Sequence, residues 1–237
     1  MVIGLNSFKE WFQGYESCYA LIGGTACDLL MDETGFEFRA TKDIDMVLIA
    51  ESLSEEFGLR FWEYIKAAGY RRRLNNIGKS IYYRFTSPKS AKYPAAIELF
   101  SRRIDRIILP PDANLTSIPI GDNISSLSAI LLDDEYYEFL KSGLTVIDGV
   151  SILTATHMIP FKAKAWIDLS QRKASGEHVD SRDIRKHKND IIKLSDLLLP
   201  NATVSLPGTI KNDMLKFLAE VDRPDKYARV AAAFEIL

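Results

Sequence analysis

The sequence predicts an α+β chain, with a mixed β-sheet flanked by helices over residues 1–150 and a mostly α-helical part over 151–237. Two observations carry that expectation. Up to residue 100, short apolar runs bounded by glycine or charge alternate with amphipathic stretches, and strand-like runs then accumulate. From Thr154 onward, four helical patterns follow one another.

The elements are read in order. "NSFKEWFQGYE" (6–16) has a capping Asn6 or Ser7 and places Phe8, Trp11, Phe12 and Tyr15 at helical spacing. "CYALIGG" is an apolar run stopped by glycine, a buried strand. "TACDLLMDE" opens a helix with Thr25 as its cap. "DIDMVLIAE" (43–51) is a second strand, with Asp43, Asp45 and Val47 on one face and Ile44, Met46 and Leu48 on the other. Residues 54–68 form an amphipathic helix capped by Ser54 and stopped at Gly69. "SIYYRF" (80–85), "AAIELF" (95–100) and "IDRIILP" (104–110) are further strands. The proline-rich stretch at 111–125 reads as a connection, and 124–153 as a strand, a short helix and a β-excursion. The last four patterns begin at Thr154, Asp180, Pro207 and Arg223.

Composition excludes more than it assigns. Thirty Lys and Arg against 32 Asp and Glu leave no global basic charge to draw the protein onto nucleic acid, so such binding would need a local patch. No segment has the long uncharged run of a signal peptide or membrane span. Cys18 and Cys27 are too few for a disulfide framework and read as buried thiols of a cytoplasmic protein. His157, His178 and His187 lack metal-ligand spacing and read as surface or incidental residues.

Chemistry enters with Asp43 and Asp45. Two apart on an apolar strand, they project from the same face, where like charges repel unless a cation sits opposite. The hard cation suited to close carboxylates and a phosphate substrate is Mg²⁺, with Mn²⁺ as its substitute. Glu98 is the one charged residue of its apolar run. If its strand lies beside 43–51, three carboxylates meet, as phosphoryl transfer on two metal ions requires. In "IGGTA", Gly23 and Gly24 allow close backbone approach, and free N–H groups at the following helix start favour a triphosphate.

With those residues in view, the chain resembles the polymerase-β-like nucleotidyltransferases. Their signature is a Gly-Gly-Ser/Thr turn at a helix start, an Asp-x-Asp strand and a third acidic strand residue. Gly23, Gly24 and Thr25, then Asp43 and Asp45, then Glu98 stand in those places. "RATKDIDMVL", with Arg39 and Thr41 ahead of the aspartates, is similar to the AbiEii-type branch of abortive-infection and toxin–antitoxin systems. The resemblance implies Mg²⁺-dependent transfer of a nucleotidyl group from an NTP to the hydroxyl of an RNA or tRNA end, a protein or a small molecule. It also implies a protein antitoxin as a partner. Asp43, Asp45 and Glu98 would hold metal and carry catalysis, and Gly23, Gly24 and Thr25 would hold the phosphates. In that family a helical lysine and a later basic-x-Asp pattern face the nucleotide. Lys162 or Lys164, then Lys188 and Asp190, match them; Lys164 and Lys188 are preferred, with Asp190 orienting both.

Plainer readings stand beside these. The aspartates could pair with Arg39 or Lys42 at an exposed strand end, and Glu98 with Arg102 or Arg103. The lysines could lie on solvated helix faces. "YRRRL" (70–74) and "SRRIDR" (101–106) could meet a nucleic-acid backbone or guard an exposed edge strand. The alternative function is a catalytically silent protein of the same fold, binding or regulating within a toxin–antitoxin or defence system.

Overall fold

A computed structural model describes residues 2–74, 80–100, 133–199 and 203–236. The strand expected at 104–110, the basic cluster at 101–106 and the connection at 111–125 lie outside the described residues. The chain groups into two compact units, Met1–Ile124 with Leu144–Leu153, and Ser125–Gly143 with Thr154–Leu237.

The first unit is a mixed sheet with helices. In chain order it contains α1 (Leu5–Phe12), β1 (Tyr19–Ile22), α2 (Gly23–Glu33), β2 (Asp43–Leu48), α3 (Glu55–Ala68), β3 (Arg71–Leu74), β4 (Ser80–Thr86) and β5 (Ala96–Phe100). A hairpin, β6 (Leu144–Ile147) and β7 (Val150–Leu153), completes it. The seven strands lie in the order β3-β4-β5-β2-β1-β7-β6. β2 pairs with β5 and β1 with β7 in parallel; the other neighbours are antiparallel. β3 occupies one edge of this order.

Apolar pattern explains these placements. β1 is buried at every residue, as expected of a strand covered on both faces. In β2, Ile44 and Met46 are fully buried while Asp43 and Asp45 remain partly accessible. α3 begins at Ser54, whose hydroxyl accepts from the Phe57 N–H at 3.2 Å, and ends at Gly69. Its Phe57, Phe61 and Tyr64 pack against Phe8, Phe12 and Tyr19, with Phe12 touching Phe57, Phe61 and Tyr64 at ring separations of 5.8, 6.2 and 5.3 Å. α1 is shorter than the 6–16 pattern suggests, because Gln13 is extended and Gly14 turns the chain.

The second unit is helical: α4 (Asp134–Ser142), α5 (Ala155–Ala174), α6 (Ser181–Ser195), α7 (Gly208–Glu220) and α8 (Ala228–Ala233). Its packing is aromatic, with Trp166 edge-on to Phe217 at 5.3 Å and Phe217 edge-on to Tyr227 at 5.1 Å. A single boundary near residue 150 does not describe this division. α4 groups with the second unit, while the hairpin that follows it belongs to the first. The physical reason is the Asp148-Gly149 turn, both residues at positive φ, which folds 144–153 back so that β7 can pair with β1. Among the described residues, no helix is long and apolar enough to cross a membrane.

His157 is neither incidental nor a surface residue. Its ring lies 4.3 Å from Phe139, and Nδ1 is 2.9 Å from Thr154 Oγ1 and 3.1 Å from Thr156 Oγ1. Burial holds its pKa below the usual histidine range. The unfolded chain therefore takes up a proton at a higher pH than the folded one, and stability falls as pH drops below about 6.5. His157→Gln should show a smaller loss of Tm between pH 7.5 and 5.5 than the parent protein, as read by thermal denaturation.

Candidate functional site

The sheet register brings the acidic residues together. Asp45 on β2 stands opposite Ile22 on β1 and opposite Glu98 on β5, and Glu98 stands opposite Arg84 on β4. Residues opposite one another across a sheet share a face, and Asp43 lies on that face two positions before Asp45. Asp43, Asp45, Glu98 and Arg84 therefore form one polar group on neighbouring strands, with apolar Ile44, Met46, Ile97 and Leu99 next to them in sequence. Their side chains are partly accessible, Asp43 at 44% and Glu98 at 27%.

Arg84 was not singled out from the sequence, and it contacts two of the three carboxylates of this group. Its Nη2 is 3.7 Å from Asp43 Oδ2 and its Nε is 3.1 Å from Glu98 Oε1. Glu98 thus pairs with Arg84; Arg102 and Arg103 lie outside the described residues. The signal was present in "SIYYRF", where Arg84 is as solitary a charge as Glu98 is in "AAIELF". Close to Asp43, the Tyr70 hydroxyl donates to the Pro94 carbonyl at 2.6 Å. Burial first, and then the neighbouring Tyr64, Tyr93 and Asp43, push the Tyr70 phenol well above its usual range, so it stays protonated.

Gly23 sits against one of these acids, and Gly24 against Thr41 and Arg39. Gly23 has φ +67°, and a Cβ there would lie 1.9 Å from Asp45 Oδ2. A Cβ on Gly24 would lie 2.8 Å from Thr41 Oγ1 and 3.4 Å from Arg39 Nη2. The first turn of α2, whose N–H groups have no partner within the helix, is therefore lined by the Asp45 carboxylate, Thr41 and Arg39. From the sequence, Arg39 reads as a companion or ion-pair partner of the aspartates and Thr41 as context for them; neither is assigned to the glycine turn.

Thr25 needs a correction as a cap. Ile22 holds the N-cap position, and Thr25 is the third helical residue, fully buried. Its hydroxyl donates to the Asp43 carbonyl at 2.7 Å. That bond ties α2 to β2 and uses the single O–H, which leaves the Thr25 backbone N–H as its means of reaching an anion.

The basic residues of the second unit do not share Asp190. Asp190 Oδ2 accepts from Lys162 Nζ at 2.9 Å, and both residues are buried, at 1% and 4% exposure. Lys164 pairs with Asp213 at 2.8 Å, and the Tyr136 hydroxyl donates to the same carboxylate at 3.0 Å. Lys188 pairs with Asp222. The reason is helical phase. Lys162 and Lys164 project from different faces of α5, so only Lys162 meets α6 where Asp190 is buried.

No protein-family model matches this chain, and no curated protein matches it. Among solved structures it is similar to an antigenic nucleotidyltransferase-like protein from Paracoccidioides brasiliensis. The identity is 15%, the match covers 99% of this chain and 96% of that one, and the TM-score is 0.49.

Two expected outcomes follow from this geometry. Gly23→Ala should cost stability by at least about 1–2 kcal/mol, through its positive φ and its overlap with Asp45, and more than Gly24→Ala, in urea denaturation. Asp190→Ala should cost about 3–5 kcal/mol by removing the carboxylate that the buried Lys162 ammonium pairs with. The double change Lys162→Met with Asp190→Leu should recover most of that loss in the same measurement.

Proposed function

We propose that this chain is a metal-dependent nucleotidyltransferase, moving a nucleotidyl group from an NTP to an acceptor hydroxyl. One observation carries the reading: Asp43, Asp45 and Glu98 share a face of the sheet directly beside the Gly23-Gly24 start of α2. A phosphate-binding helix start and a carboxylate set are the two halves such chemistry requires.

The donor set fits Mg²⁺. All three groups offer hard oxygen, and Mg²⁺ is commonly held by one or two carboxylates, its other positions going to water and substrate phosphate. Among the described residues, no group of three or more of His, Cys, Asp and Glu is placed to hold a metal ion. Asp43 and Asp45 are accordingly the residues assigned to hold the ion, with Glu98 joining or orienting the acceptor. When bound, the ion supplies Lewis-acid neutralisation at the transferring phosphate.

The chain's own groups do the rest. The first-turn N–H groups of α2 donate to the β- and γ-phosphates. The acceptor oxygen attacks the α-phosphorus, its proton passes to Glu98, and pyrophosphate leaves. Arg39 and Thr41, lying beside that turn, support the finer assignment to the AbiEii-type branch. A silent binding protein of the same fold is the second reading. It is favoured by the ion pairing of Asp43 and Glu98 with Arg84.

Incubation with each α-labelled NTP, Mg²⁺ or Mn²⁺, and total RNA or lysate should transfer label to an acceptor. Asp43→Asn and Asp45→Asn should each reduce transfer by at least about a hundredfold while keeping the fold by circular dichroism. Undiminished transfer by the Asp43→Asn, Asp45→Asn double variant would rule out this carboxylate face as the seat of the reaction. A parent protein that transfers nothing, yet gains thermal stability from NTP, is the silent protein.

A further inference from the structure

Arg84 places a positive charge between two carboxylates, but its pairing is incomplete. Nε is buried and makes no hydrogen bond among the described residues, since its 3.1 Å approach to Glu98 lacks the alignment of one. The contact to Asp43, at 3.7 Å, is long for a guanidinium fork. The side chain as a whole is 35% accessible, so water and salt weaken the Asp43 contact. This guanidinium is held by charge more than by geometry.

Without a cation, three carboxylates on one face repel one another. A guanidinium relieves that repulsion at any pH the fold survives, because it does not lose its proton. We propose that Arg84 is a displaceable counter-ion. It neutralises Asp43 and Glu98 in the cation-free protein and yields them when a divalent ion binds, so that it sets the metal concentration at which the site fills. This rests on the reading of the carboxylate face as a cation site. Arg84 is a positioning residue here: it acts on the metal through the two carboxylates.

A fixed structural strap would behave in the opposite way. If Arg84 merely held Asp43 and Glu98 in place, its loss would scatter the ligands and weaken metal binding. If it competes with the ion, its loss tightens binding. The sign of one measurement separates the two.

The experiment titrates Mn²⁺ into the full chain without nucleotide, following free Mn²⁺ by electron paramagnetic resonance, for the parent, Arg84→Gln and Arg84→Lys. Arg84→Gln should bind Mn²⁺ on the order of tenfold more tightly. It should melt below the parent without metal, and the gap should close at saturating Mn²⁺. Arg84→Lys should fall between them, because a point ammonium keeps the charge but cannot span both carboxylates. Binding by Arg84→Gln alone is the extreme form of the same result. A parent that binds while Arg84→Gln binds equally or more weakly overturns the counter-ion role and leaves the cation site standing. If neither binds, the cation-site reading fails and the counter-ion role fails with it. Should Arg84→Gln not fold, Arg84→Lys decides: tighter binding than the parent supports the role, and equal or weaker binding overturns it.

Discussion

The register of β2 is the constraint on which the candidate site depends. Between β1 on one side and β5 on the other, it sets Asp45 level with Ile22 and Glu98. A slip of one residue would turn Asp43 and Asp45 into the core and bring Ile44 and Met46 onto the polar face. Burial opposes any odd shift: Ile44 and Met46 are fully enclosed, and such a shift would enclose the carboxylates in their place. The apolar half of β2 thus aligns the acidic half.

The helix start is held to that strand by two contacts of different kinds. The Thr25 hydroxyl bonds to the Asp43 carbonyl, and Gly23 lets the backbone come against the Asp45 side chain. One ties backbone to side chain through a hydrogen bond; the other is an absence of atoms. Together they bring the positive end of the α2 dipole to the acids. The second unit handles charge differently, enclosing the Lys162–Asp190 pair almost completely while Lys164–Asp213 stays partly exposed.

Much of this was legible in the residues. The glycine turn, the Asp-x-Asp strand and the long helices follow from period and punctuation, and Ser54 and Gly69 bound α3 where local chemistry places them. What was not legible is what depends on strands meeting. Glu98 could be read as a solitary charge, but its partner could not, because Arg84 comes opposite only through the β4–β5 register. Asp190 took its partner in the same way: sequence spacing permits either neighbouring lysine, and the helix packing selects Lys162. Thr25 misled for a local reason. A threonine after glycine is a good cap, yet the helix begins two residues earlier and the hydroxyl is turned to the strand. The Asp-Gly turn at 148–149 signals a hairpin, but not that the hairpin joins a sheet begun more than a hundred residues before.

That hairpin bears on how the chain is made. Its ends meet at a backbone hydrogen bond, Thr154 N–H to the Gly143 carbonyl at 2.9 Å, so ten residues leave the helical unit and return to it at one point. β1 has β2 on one side and β7 on the other. During vectorial synthesis β1 and β2 emerge early, while β7 emerges only after β5 and α4 have been made. Until then one edge of the fully apolar "YALI" strand has its backbone groups unmet, a template for any other extended chain nearby. The nascent protein therefore passes through a stage at which the sheet bearing the acidic site can form while its opposite flank remains open, and the late hairpin closes that flank.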